Sequence, residues 1–389
     1  YVKSKQYEKK LFLNVMHGHD KGFVFIAALA LMAILAIVST VAVITTTTDI
    51  KISGNYKSSV QAFYITEAGV ERAKGVLKTN SFDKVLNGTH GGSPGILNFG
   101  TSTSFAGGTY TVRVFDDDND GDGNILNDSN GMVKIIGTGT VSTGSTRTIE
   151  VMVSKADLDD FPAAVSMVDP DVKMEFRSDA LSVTGIDTNY VPGPPEGTTP
   201  GTGTSKNGVA SQGTTTATYS PLNAQDKITG VGTATPDIIG TTTPNLADLQ
   251  AIRLKLIAMP GITTYSGPTS LGSVTTLGTR TNPQITYVND SLDITGNVTG
   301  VGILIVDKEL EVSGTFIFEG IILVGICLTC PGEFEGSGNS KIFGAVVVAN
   351  HNGEAELEME GTASIYYSTF AIDLALDATF AIVSWREVY

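Results

Sequence analysis

Cysteine, tryptophan and histidine are scarce in this chain: two, one and four among 389 residues. Two cysteines exclude a disulfide framework or a structural zinc cluster as the basis of the fold. The histidines, His17, His19, His90 and His351, stand outside any HExxH or nucleophile-elbow pattern. Charge is sparse too, at 17% of residues, and its balance is negative, -15. An acidic surface repels phosphate backbones, which excludes nucleic acid as a partner. Glycine, by contrast, is abundant at 44 residues. That composition favours turn-rich β structure over long solvated helices. A chain this long can bury a large core in two or more folded units.

Phe23 to Ile44 reads FVFIAALALMAILAIVSTVAVI, an unbroken run without a charge. As a helix it spans about 33 Å at about 1.5 Å per residue, enough for a hydrocarbon core of about 30 Å. Five lysines and two acids precede it, a net of +3, which leaves -18 for the rest. This asymmetry predicts a cytoplasmic N-terminus and an acidic bulk outside. A secretory signal would have a shorter apolar core followed by a small-residue cleavage site. The expectation is therefore an uncleaved span, with any processing before it. Residue 1 is Tyr, and Met16 opens the short polar stretch MHGHDKG. Residues 1–15 are accordingly expected to be upstream sequence, with Met16 as the start.

Lys21-Gly22 before Phe23 and an apolar run resembles a class III prepilin leader. DIKISGNYKSSVQAFYITEAGVERA resembles the PilX N-terminal signature at Gly54-Asn55, Ala62-Phe63, Glu67-Ala68 and Glu71. The end, SWREVY, is similar to that of PilX-like proteins. The resemblance is strong over residues 16–79 and diffuse beyond them. It implies a type IV pilus assembly protein, cut between Gly22 and Phe23 by a membrane prepilin peptidase that methylates the new Phe23 amine. It also implies major and minor pilins as partners, and a large tip adhesin among them. Before assembly the chain would sit in inner-membrane lipid, single-pass with its head outside; afterwards it would belong to a cell-surface pilus. One departure is Ala27, at the fifth mature position, where most pilins carry the Glu that docks a neighbour's N-terminal amine. This departure is similar to minor, tip-type subunits and counts against a major-subunit role. An unpaired carboxylate inside a membrane is costly, so Ala27 also suits lipid.

Val60, Phe63, Val70 and Leu77 continue an apolar stripe at helical spacing, predicting a helix over 23–79 that lays its outer half on a head. Gly54 suggests a bend within it. Gly107–Phe115, Met132–Val141 and Arg147–Val153 read as strands, the last two joined by a turn at Ser142–Ser145. Helix plus antiparallel sheet is the pilin architecture, with the β head at 80–155. Val172, Met174 and Phe176 alternate with polar residues. Residues 187–245 are rich in Thr, Gly and Pro and read as a long loop within an insert at 187–283. That insert holds one helix from Asn245 to Met259. From 284 onward short strands recur at short intervals, suiting a β-solenoid, with a sandwich as the alternative. Residues 156–186 belong with 284–389 in that domain. The fold class expected is α+β.

DDDNDGDGNILND, Asp116 to Asp128, carries the clearest chemistry. Asp118, Asp120 and Asp122 alternate before Gly123. They resemble a calcium loop, with the Asn124 carbonyl and Asp128 as further ligands and Ca2+ as the expected cofactor. Ser129, not Glu, stands at the twelfth position, and a strand precedes the loop, so an EF-hand is not expected. A solvated acidic turn is the alternative. Cys327 and Cys330, in CLTC, predict a disulfide across a turn outside the cytoplasm. Gly-rich segments such as GVGILIV lack a following helix and are not dinucleotide loops. The reading is a structural minor pilin acting in pilus assembly or at the tip, with an adhesion role. Alternatives are a type II secretion pseudopilin and a membrane-anchored β-helix enzyme on polysaccharide using Asp307 and Glu309.

Overall fold

The computed structural model describes residues 2–117, 123–128, 130–156, 158, 161–242, 244–259, 261–327, 329–350 and 353–388, with 2–22 and 214 described by their backbone alone. Helix α1 runs Val2–Thr79. It passes through Gly54 without a break, correcting the expected bend; a β-carbon there would meet nothing, so the glycine costs only propensity. The short α2, Phe82–Leu86, follows.

Four strands then form an antiparallel sheet: β1 Thr103–Phe105, β2 Gly108–Asp116, β3 Met132–Val141 and β4 Thr146–Ser154. Strict alternation buries Tyr110, Val112 and Val114 on β2 and Ile149, Val151 and Val153 on β4. Against them α1 buries Ala62, Ile65, Val70, Ala73 and Leu77. Close approach needs small residues: a β-carbon on Gly69 would lie 2.7 Å from the Tyr110 ring, and one on Gly137 2.6 Å from Val70. The fifth strand, Ala381–Val388, comes from the C-terminus and pairs antiparallel with β4 at the sheet edge. Reading it with the second β region was incorrect: partners separated by the whole of that region leave no local trace in sequence.

Apart from an antiparallel pair, Thr188–Val191 with Gly197–Pro200, the remaining strands stack in parallel around a second core. Strands Asn297–Val306, Thr315–Val324 and Asn339–Ala349 align in register, with Gly302, Gly320 and Gly344 in one column. Each of these glycines has positive φ, 131°, 144° and 134°, and turns its strand from one face to the next. A β-carbon on Gly320 would stand 1.9 Å from the Gly302 carbonyl oxygen, so only glycine fits. A further face is formed by Leu292–Ile294, Glu309–Val312, Glu333–Gly336, Ala355–Met359, Asp171–Phe176 and Thr214–Tyr219.

Chain order and stack order differ. The last coil pairs with the first, through Val346 with Val165, Leu357 with Met174 and Ile365 with Val183. Residues 207–240, read as loop, instead extend the stack at one end through Asn207–Ser211, Thr214–Tyr219, Ile228–Thr229 and Ile238–Gly240. Threonine favours strands, and parallel pairing holds segments that bury little themselves. Helix α3, Leu246–Ile257, intervenes, and Thr263–Tyr265 begins the other end. An Asn245–Asp248 capping box starts α3. Helix α4, Thr369–Asp377, packs Ala371, Ile372, Ala375 and Leu376 on the long strands. This cover explains their uninterrupted apolar runs.

Candidate functional site

Among the described residues nothing covers Phe23–Ile44: every residue of this segment is exposed, Phe23 by 74%. The helix is long and apolar enough to cross a membrane. Five threonine hydroxyls along it are satisfied internally. Thr40, Thr45, Thr46, Thr47 and Thr48 each donate to the carbonyl four residues back, at 2.7 to 3.0 Å. Gly22 and Phe23 lie within continuous helix, and Ala27 is exposed. Farther along, Glu67 is half-buried and Glu71 pairs with Lys74 at 2.5 Å.

Asp118, Asp120 and Asp122 lie outside the described residues. Of the other expected calcium ligands, Asn124 accepts from the Leu126 amide at 3.3 Å through its side-chain oxygen. Asp128 Oδ1 accepts from the amides of Asn130, Gly131 and Met132 at 3.2, 2.9 and 3.1 Å. Burial pushes the Asp128 carboxyl above its ordinary range despite these three donors. Its own amide donates to Asp83 at 2.7 Å. Asp128 thus closes the turn into β3, a role its place in the motif did not suggest.

Cys327 and Cys330 are joined by a disulfide, Cα to Cα 5.4 Å. They sit in the loop at 325–332. The coil from Gly320 to Gly344 is longer than the one from Gly302 to Gly320, and this loop holds the difference.

The parallel register also builds a carboxylate face. One column runs Glu309, Glu333, Glu356 and Lys173; the next runs Asp293, Glu311, Glu335, Glu358 and Glu175. Neighbours in a column are one strand spacing apart, about 4.8 Å. At one end cations compensate. Lys173 contacts Glu356 and lies 3.0 Å from Glu175; Arg177 contacts Glu175 and Glu358 and lies 3.1 Å from Glu360. Those cations hold Glu175 below its ordinary range. Toward the middle the balance reverses: burial first, then adjacent carboxylates, raise Glu333 and Glu335, while Glu358 is raised by burial against the opposing pull of Arg177. Ligand atoms of Glu309, Glu333 and Glu335 lie within 4.8 Å of one another, close enough to share one cation. The sequence carries the trace of this face: Glu-x-Glu recurs at 309, 333 and 356 on successive strands.

The two carboxylates named for catalysis part company. Glu309 belongs to this face. Asp307 is buried beneath α3, where Arg253 Nε donates to it at 2.7 Å and the Tyr287 hydroxyl at 2.7 Å. Burial and this acceptor push the Tyr287 phenol up to about 12. Glu319 is likewise buried and clamped by Arg280 at 2.6 Å. Both pairs are enclosed and charge-balanced, an arrangement that fixes structure.

The family described as PilX N-terminal matches residues 21–71. Residues 21–71 are thus similar to that family's N-terminal segment. No curated protein matches the chain. Among solved structures, the competence-associated pilin ComZ from Thermus thermophilus aligns over 85% of this chain and 97% of its own, at 13% identity. The TM-score is 0.24. The PilX segment takes in Gly22, Phe23, Ala27, Gly54, Glu67 and Glu71. It ends within the part of α1 that packs on the sheet, so the likeness covers the helix and stops before the sheet. The stack, its carboxylate face and the disulfide lie beyond the PilX segment.

Proposed function

We propose that this chain is a minor subunit of a type IV pilus, a structural protein rather than an enzyme. One observation carries the reading: an uncharged, uncovered helix after Gly22-Phe23 continues, without a break, into the spine of an antiparallel head sheet. Apolar surface of this extent needs lipid before assembly and neighbouring helices after it. A prepilin peptidase would cut at Gly22 and methylate Phe23. Major and minor pilins would be the assembled partners, and Ala27 fits a minor position. The stack would be displayed on the outside, where adhesion or contact with a tip adhesin becomes its role. N-terminal mass analysis of filament-associated protein tests this reading: it expects Phe23 as the first residue.

Calcium binding by Asp118, Asp120 and Asp122 is proposed on their spacing alone. Bound ion at about 100 times its dissociation constant would add about 2.7 kcal/mol. Asp120→Ala should abolish the difference between melting in calcium and in chelator. Identical melting of the unmodified protein in both would refute calcium binding.

A further inference from the structure

A cavity of about 390 Å3 opens on the outer side of the head sheet, at the edge of β2 beyond the short β1. There Gly95 takes over from β1, its carbonyl accepting from the Val114 amide at 2.9 Å. Alternation along β2 and β3 puts Arg113, Phe115, Lys134 and Ile136 on the face opposite the one that packs on α1. The turn at Ile125 and Leu126, held by the Asn127 amide on the Asn124 carbonyl at 3.1 Å, adds two apolar residues to the wall. Phe115, Ile125 and Leu126 remain exposed although large and apolar, Ile125 by 64%.

The charges of this wall are positive. Arg113 faces Ile136 and Phe115 faces Lys134 across the β2–β3 pair, so the two cations stand on a diagonal, about 7–8 Å apart. Among the described residues neither has an acidic partner. The one acid in the lining, Asp116, lies on the other face of β2, and its carboxylate accepts from the Asp117 amide at 2.9 Å. In a chain of net charge -15 this is a local reversal of sign. Cations alone would serve as solvated charges, and apolar residues alone as a scattered patch. In one concavity they make a small-ligand site: a mostly apolar wall enclosing about 300–1,000 Å3, with a few convergent polar groups. The sign of those groups sets the charge of the ligand. A guanidinium fork pairs with a carboxylate through two parallel bonds, and a lysine adds a point charge. The volume, near the low end of that range, limits the body to one or two rings or a short chain.

We infer that this cavity binds a small organic carboxylate with an apolar body, its acid group at Arg113 and Lys134 and its body against Phe115, Ile125, Leu126 and Ile136. The inference is independent of the pilus reading, and either can fail while the other stands. The test uses the full-length chain in its membrane and p-benzoylbenzoate, an aromatic carboxylate that inserts into neighbouring C–H bonds on irradiation. Peptide mapping should place adducts on β2 at Phe115 and on the Ile125–Leu126 turn. Excess phenylbutyrate should displace them, and phenylbutanol, the same body without the charge, should not. Arg113→Gln and Lys134→Gln should each lower labelling at subsaturating probe by at least about tenfold, the order for losing one charge-assisted hydrogen bond. Lys134→Arg should retain it. All three replacements lie on the outer face, so each variant should melt with the parent. Absence of adducts at the cavity, adducts confined to Phe23–Ile44, equal displacement by acid and alcohol, or undiminished labelling in either glutamine variant would overturn the inference.

Discussion

Gly139 lies directly beneath Thr66: a β-carbon on Gly139 would stand 2.4 Å from the Thr66 hydroxyl oxygen and 2.6 Å from the Ala62 carbonyl. Helix α1 thus rests on β3 at a distance that only glycine permits, and Gly137 repeats the relation one step along the strand. Gly139→Val must push the helix from the sheet or distort β3. A cost of about 2–4 kcal/mol is expected, as for overpacking against backbone. Denaturant unfolding of the purified chain checks it. A variant within about 0.5 kcal/mol of the parent, the range of an unconstrained surface change, would mean the helix is free to shift.

Glu335 stands between Glu311 and Glu358 in the carboxylate column, and its folded pKa is raised by burial and by the carboxylates of Glu311, Glu360 and Glu309. A raised carboxyl in the fold binds protons more tightly than in the unfolded chain. Its cost is complete above the folded pKa and disappears as pH falls below the unfolded value. Glu335→Gln should therefore stabilise the protein at pH 7.5, and the gain should fade on acidification. The site is partly exposed, so solvent screening keeps the gain below about 1 kcal/mol. Thermal melts of parent and variant between pH 7.5 and 4 measure it; a gain that grows toward acid would contradict the assignment.

Arg253 reaches from α3 to the buried Asp307, and Tyr287 completes the set. Arg253→Met removes the cation but leaves a carboxylate enclosed without its counter-charge. A loss of about 3–5 kcal/mol is expected at neutral pH, as for breaking a buried pair. Replacing Asp307 with Asn in the same chain should recover part of that loss. Equilibrium unfolding of the two variants decides the point. If Arg253→Met is neutral, the pair contributes nothing net to the stack.

What the sequence revealed follows the range of the interactions involved. The apolar run Phe23–Ile44 and the alternation of Tyr110, Val112 and Val114 are local patterns, and the helix and strands β2 to β4 lie where they indicate. Glu-x-Glu strands were visible one by one, but their common face was not. It exists only because Glu309, Glu333 and Glu356 fall in register. The contact of Val346 with Val165 and the return of Trp385 to the head sheet join segments far apart in sequence. Thr214–Tyr219 looked like loop because its partners Asp171–Phe176 supply the pairing it needs. For the acidic loop, spacing indicated calcium chemistry at Asp118, Asp120 and Asp122, whereas the closing role of Asp128 emerged from its three amide donors.

The central claim is that α1 is a processed assembly helix inserted first in lipid and then in a filament. N-terminal mass spectrometry of the chain recovered from sheared filaments tests it most directly. The account predicts a first residue of Phe23 bearing one added methyl group, and no such species when Gly22 is replaced by alanine. Filament-associated protein that retains residues 16–22 intact would contradict it.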